Sequence, residues 1–72
     1  MTREEFIRKL IKQQVIDTMS YRYFARPTIV ESIVGGGLNY IVKRITYDNL
    51  RKHNSEWEYV GLFDSDGKCI SE

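Results

Sequence analysis

Residues 2–19 constrain this chain more than any other stretch. They spell one amphipathic helix, and so oblige the rest of the chain to supply a surface for its apolar face. Thr2-Arg3-Glu4-Glu5 has the form of a capping box, in which the Thr2 hydroxyl accepts from the Glu5 backbone N–H and the Glu5 carboxylate reaches back to Thr2. Phe6, Ile7, Leu10, Ile11, Val15 and Met19 then recur three and four apart, which stacks them on one helical face. Glu4–Arg8 and Glu5–Lys9 form i,i+4 pairs with the acid first, the better orientation on a helix surface. The spacing predicts a helix from residue 3 to residue 18 or 19, its apolar stripe fading after Val15.

Beyond this helix the chain reads mostly as strands. Residues 20–26 are an aromatic-rich helix end and connection, since Pro27 disfavours helical geometry at Arg26. Residues 28–34 are β-branched and are read as a strand. Ile29/Ile33 and Val30/Val34 are also helical pairs between Pro27 and Gly35, so the helical alternative stays open. Gly35-Gly36-Gly37 is a hairpin link, and residues 38–47 are the best strand in the chain. Residues 48–55 are a polar loop or one helical turn capped by Asp48. Residues 56–63 form a further strand, with Trp57, Tyr59 and Phe63 on one face and Val60 and Leu62 on the other. Asp64-Ser65-Asp66-Gly67 is a tight turn into a short last strand at residues 68–70.

The expected architecture is a single small α+β domain over residues 1–72, an N-terminal amphipathic helix packed on a mostly antiparallel sheet of three to four strands. One helix covers one sheet face, and the other stays open unless a partner or a second copy covers it. At 72 residues a chain buries only about 60% of the surface its unfolded form exposes. Small domains without staples often gain stability by association, so a homodimer is expected.

Several chemistries fail on inspection. The triglycine precedes a strand rather than a helix N-terminus, and no phosphate-loop or dinucleotide fingerprint is present. Asp64-Ser65-Asp66-Gly67 opens like a calcium loop, but the acidic twelfth ligand would fall beyond residue 72. His53 and Cys69 are the sole histidine and cysteine, too few for a zinc set or an internal disulfide, and no flanking signature makes them a nucleophilic pair. No metal, cofactor, small-molecule ligand or catalytic residue is expected. No run of about 18 apolar residues is present to cross a membrane, and no signal-peptide pattern is visible. A cytoplasmic setting is the expectation.

The net charge of +1 hides an uneven distribution. Residues 1–53 carry ten Lys/Arg against five Asp/Glu, while residues 54–72 carry one Lys against five Asp/Glu. Either a basic face binds a partner, or acidic C-terminal strands lie beside basic neighbours and neutralise them. Two basic–aromatic stretches are the candidate binding surface: Tyr21, Arg22, Tyr23 and Arg26, and then Tyr40, Lys43, Arg44, Tyr47, Arg51 and Lys52. Tyrosines and arginines are favoured in protein-binding hot spots; rings and cations also serve single-stranded nucleic acid. The expected function is a small non-enzymatic interaction or regulatory module that docks on a protein, itself included. Such chains are common among accessory proteins of bacteria and phages. A nucleic-acid-binding domain is the alternative.

Overall fold

The first helix, α1, spans Arg3–Gln13 and begins where its sequence places it, with the Thr2 hydroxyl accepting from the Glu5 N–H at 3.2 Å, although the expected return bond from the Thr2 N–H to the Glu5 carboxylate does not form. It ends earlier than the apolar stripe implies. Gln14 adopts φ +74°, donating its N–H to the Leu10 carbonyl at 2.6 Å while its own carbonyl accepts from the Ala25 N–H at 3.0 Å. Helix cap and first rung of a sheet thus share one residue. The predicted continuation to residue 18 or 19 is therefore corrected: Val15–Asp17 is a strand, β1, and Met19 sits 99% exposed in the turn after it. The β-branched pair Val15-Ile16 favours the extended chain, and in that form Ile16 packs against the core beside α1.

The computed structural model describes residues 1–28, 38–52 and 56–71. Among these the elements after β1 are β2 (Tyr21–Pro27), β3 (Tyr40–Thr46), a short helix α2 (Tyr47–Arg51), β4 (Glu58–Phe63) and β5 (Cys69–Ser71). The strands form one antiparallel sheet in chain order, β1-β2-β3-β4-β5. The α+β class and the helix-on-sheet packing agree with expectation; the strand count is five rather than three to four. The extra strands come from residues 15–27, expected to be helix end and connection. Thr18 closes their hairpin, its N–H donating to the Tyr21 carbonyl at 2.8 Å and its hydroxyl accepting from the Tyr21 N–H at 3.1 Å. The alternatives for residues 28–34, the triglycine and His53 all involve positions outside the described residues.

Two local expectations are also corrected. The cap of α2 is Thr46, whose hydroxyl accepts from the Asn49 N–H at 3.2 Å, and not Asp48. Thr46 has the extended backbone an N-cap needs, whereas Asp48 lies inside the first turn, where an acid suits the helix dipole. In β4, Val42 pairs with Gly61 but Lys43 pairs with Tyr59, so Val60 is an extra, bulged residue. The bulge resets the alternation. Val60 packs with the core, Phe63 is buried in it, and Tyr59 turns to the opposite face. The predicted common face for Tyr59 and Phe63 therefore does not form.

The core lies between α1 and the sheet: Ile7 and Leu10 meet Ala25, Val42 and Phe63, with Phe6, Ile11, Ile16, Tyr23 and Val60 around them. Leu10 is fully buried, a contribution of about 1.5–3 kcal/mol for a side chain of its type. The 64–67 turn works as its composition implies, the Asp64 carboxylate accepting from the N–H groups of Asp66 and Lys68, both at 2.9 Å. Arg8 reaches this turn, donating to the Asp66 carbonyl at 3.1 Å, instead of forming the expected ion pair with Glu4. Among the described residues no helix is long and apolar enough to cross a membrane.

Candidate interaction surface

Strand alternation divides the basic–aromatic residues that the sequence groups together. Residues directly opposite on paired antiparallel strands share a sheet face. The pairs Ile16–Tyr23, Tyr23–Arg44 and Arg44–Glu58 form one row, and Ile16 and Tyr23 place it on the α1 side. Tyr21 and Tyr40 belong to that side too. Arg22, Arg26 and Lys43 alternate to the other side, while Tyr47 and Arg51 belong to α2 and Lys52 caps it. The ten candidates are therefore not one surface.

Most of them are committed to internal contacts. The Arg44 guanidinium donates to Glu58 at 3.0 Å and to the Tyr23 hydroxyl at 3.4 Å, and lies 4.3 Å over the Tyr21 ring. Tyr23 in turn meets Phe6 edge-to-face at 5.2 Å, so this cluster ties α1 to the sheet. The hydrogen bond to Glu58, then that to Tyr23, raises the Arg44 pKa further above its ordinary value. Arg22 donates to Asp17 at 2.8 Å, which holds the Asp17 carboxyl below the usual aspartate value. Arg51 is paired with Asp48, and the Tyr47 hydroxyl donates to the Thr18 carbonyl. Exposed pairs of this kind stabilise by only about 0–1 kcal/mol. Their consequence here is that three arginines already have carboxylate partners.

The face turned away from α1 has a different character. One row runs Val15–Phe24–Lys43–Tyr59 across four strands. The neighbouring rows are Arg26–Ile41–Leu62 and Asp17–Arg22–Ile45. Val15 is 47% exposed and Tyr59 49% exposed, while Phe24 is half-buried and meets Trp57 edge-to-face at 4.8 Å. At the α2 end the same face closes, for Ile45 is buried. The strip is hidden in the sequence because the helical spacing places Val15 in the helix core and Pro27 makes the stretch around Phe24 read as a connection. The alternation of Tyr21, Tyr23 and Ala25 against Arg22, Phe24 and Arg26 was the available signal.

The sheet edges offer less. Both edge strands are three residues long, and the register shifts between β3 and β4 and between β4 and β5, features that blunt an edge against strand addition. An open concavity lined by Thr2, Arg3, Glu4, Gly67 and Cys69 lies at the start of α1. Among the described residues no three His, Cys, Asp or Glu side chains gather as metal ligands would. Set against protein families, curated proteins and solved structures, the chain matches none.

Proposed function

We propose that this chain is a small non-enzymatic interaction module, regulatory in role, that docks on a protein through the sheet face opposite α1, with a second copy of itself as one candidate occupant. The observation that carries this reading is the apolar strip of Val15, Phe24 and Tyr59, half-open to solvent on a sheet whose other face is filled by α1. Aromatic anchors of this type dominate protein interfaces. A cytoplasmic setting belongs to the proposal, since one cysteine offers no internal disulfide to exploit an oxidising compartment.

The nucleic-acid alternative is supported less well. Arg22, Arg44 and Arg51 face carboxylates, and a phosphate backbone would have to displace them. Of the proposed cations, Arg26, Lys43 and Lys52 remain without an ion pair among the described residues. A photo-crosslinking amino acid at position 15 or 59, with position 9 on the far side of α1 as control, tests the choice in cells that make the chain. Nuclease-resistant protein adducts at 15 and 59 but not at 9 are expected. Adducts that vanish with nuclease, together with micromolar binding to single-stranded RNA at 150 mM salt (about an 8 Å screening length), would reverse the ranking. Otherwise oligonucleotide binding should be no tighter than about 10⁻⁴ M, the weak end of non-specific affinity.

A further inference from the structure

The docking strip has a cation at its centre. Lys43 stands on β3, the middle strand of five, with Phe24 directly across on β2 and Tyr59 directly across on β4. Arg26 lies on the same face two residues beyond Phe24, about 7 Å along the strand. Neither side chain makes an ion pair or hydrogen bond among the described residues. The carboxylate on these three rows, Asp17, is held by Arg22. The strip is therefore apolar at Val15, Phe24 and Tyr59 and positively charged at Lys43 and Arg26, with no carboxylate of its own to spare.

Any occupant that covers Phe24 and Tyr59 must also cover Lys43. Two strand spacings, roughly 10 Å, separate β3 from either edge of the sheet, so the ammonium cannot simply lean out to the rim. Enclosing it without an acceptor leaves a buried, unpaired charge whose desolvation nothing repays. Enclosing it against a carboxylate gives a charge-assisted hydrogen bond in a partly dry setting. A second copy packed face to face would bring the same cations together and contribute no unpaired carboxylate from these rows, so it is disfavoured by like-charge repulsion. Nucleic acid would find two unpaired cations and two partly exposed rings on these rows, too few for a phosphate track with stacked bases.

We infer that the occupant of this face is an acidic–apolar segment of another protein, presenting a carboxylate to Lys43 between apolar side chains that rest on Val15, Phe24 and Tyr59, with a second acidic residue reaching Arg26. This rests on the docking reading above and specifies the chemistry of its partner. The test uses the full chain, isotope-labelled, and three probes: a pool of short peptides combining Asp/Glu with Leu/Phe, the same pool with Lys in place of the acids, and an oligouridine. Backbone NMR shifts locate binding, and a titration measures affinity.

The acidic pool should move the signals of Val15, Phe24, Lys43 and Tyr59, with affinity falling as salt rises. Lys43→Glu should weaken it tenfold or more and admit the lysine pool instead, while Lys43→Met should weaken the acidic pool without admitting the lysine pool. Both variants must keep the wild-type dispersion of signals from Ile7 and Leu10, which report the core. Preference of the wild-type face for the lysine pool or for oligouridine, or dimerisation through this face seen by sedimentation, would overturn the acidic partner while leaving a docking face in place. No response at these residues to any probe, with a chain monomeric at millimolar concentration, would overturn the docking reading as well.

Discussion

Replacing Gly67 by alanine isolates the contact that seats the 64–67 turn against the start of α1. Gly67 has φ +86°, a region where a Cβ costs about 1–2 kcal/mol. A Cβ there would also stand 2.5 Å from the Glu4 carbonyl oxygen and 3.2 Å from Arg8 Cγ. The arginine stem can swing away. The carbonyl cannot, because it belongs to the first turn of a helix whose next turns are buried in the core. Turn and helix must then separate, an overpacking cost of about 1–3 kcal/mol. Against this, alanine narrows the unfolded ensemble, which returns about 0.4–1 kcal/mol. The expected net loss is about 1–4.5 kcal/mol, and each kcal/mol should lower Tm by about 4–8 °C in a domain of this size. Urea unfolding followed by Trp57 fluorescence and by circular dichroism measures it. Gly67→Asn separates the two causes, since asparagine tolerates the left-handed backbone but still carries the Cβ. Similar losses in both variants would identify the close approach as dominant. An alanine variant that loses less than about 1 kcal/mol would refute the steric half of the reasoning.

Leu10→Ala should cost about 2–5 kcal/mol in the same assay, whereas Val15→Thr, on an exposed strand position, should stay within about 0.5 kcal/mol; equal losses would return Val15 to the core. Gln14→Gly should leave stability unchanged or raise it by up to about 1 kcal/mol, because glycine accepts the positive φ at no steric cost. A loss near 1 kcal/mol, the usual penalty for glycine inside a helix, would mean α1 runs on past residue 14. The Asp17 carboxyl, held low by its hydrogen bond from Arg22, should titrate by NMR below the ordinary aspartate value of 3.8. Its stabilisation is present above that value and is lost as pH falls through the lowered folded one. Asp17→Asn should therefore lack that acid-side loss, and a carboxyl midpoint at or above 3.8 would contradict the pairing.

The parts of the fold legible in the sequence are those with strong local signals. Thr2 and Glu5 announce the start of α1, and Ile7 and Leu10 its buried stripe. The β-branched run of β3 marks a strand, and Asp64 with Gly67 marks the last turn. The end of α1 carries no such signal. Gln14 is neither glycine nor asparagine, and Val15 and Met19 extend the helical spacing by coincidence of residue type. What stops the helix is tertiary: the Ala25 N–H takes the Gln14 carbonyl, and extended geometry gives Ile16 a place in the core. The bulge at Val60 is equally silent, since it exists only in the register between β3 and β4.

The candidate surface was illegible for a connected reason. Tyr21, Arg22, Tyr23 and Arg26 look like one cluster when their stretch is taken as a connection, because a connection has no faces. Once the stretch is a strand, a period of two sends Tyr21 and Tyr23 under α1 and sends Arg22 and Arg26 outward. The Gln14 turn is what makes β1 available to pair with β2, and the same turn moves Val15 from the expected core to the rim of the outer face. One backbone reversal thus both removes an apolar residue from the helix stripe and supplies the end of the Val15–Phe24–Lys43–Tyr59 row. The other end depends on the Val60 bulge, without which Tyr59 would share the face of Gly61 and Phe63 and point toward the core. Both ends of the proposed docking strip are therefore set by backbone irregularities, at Gln14 and at Val60, where regular helix and regular strand would have hidden their side chains.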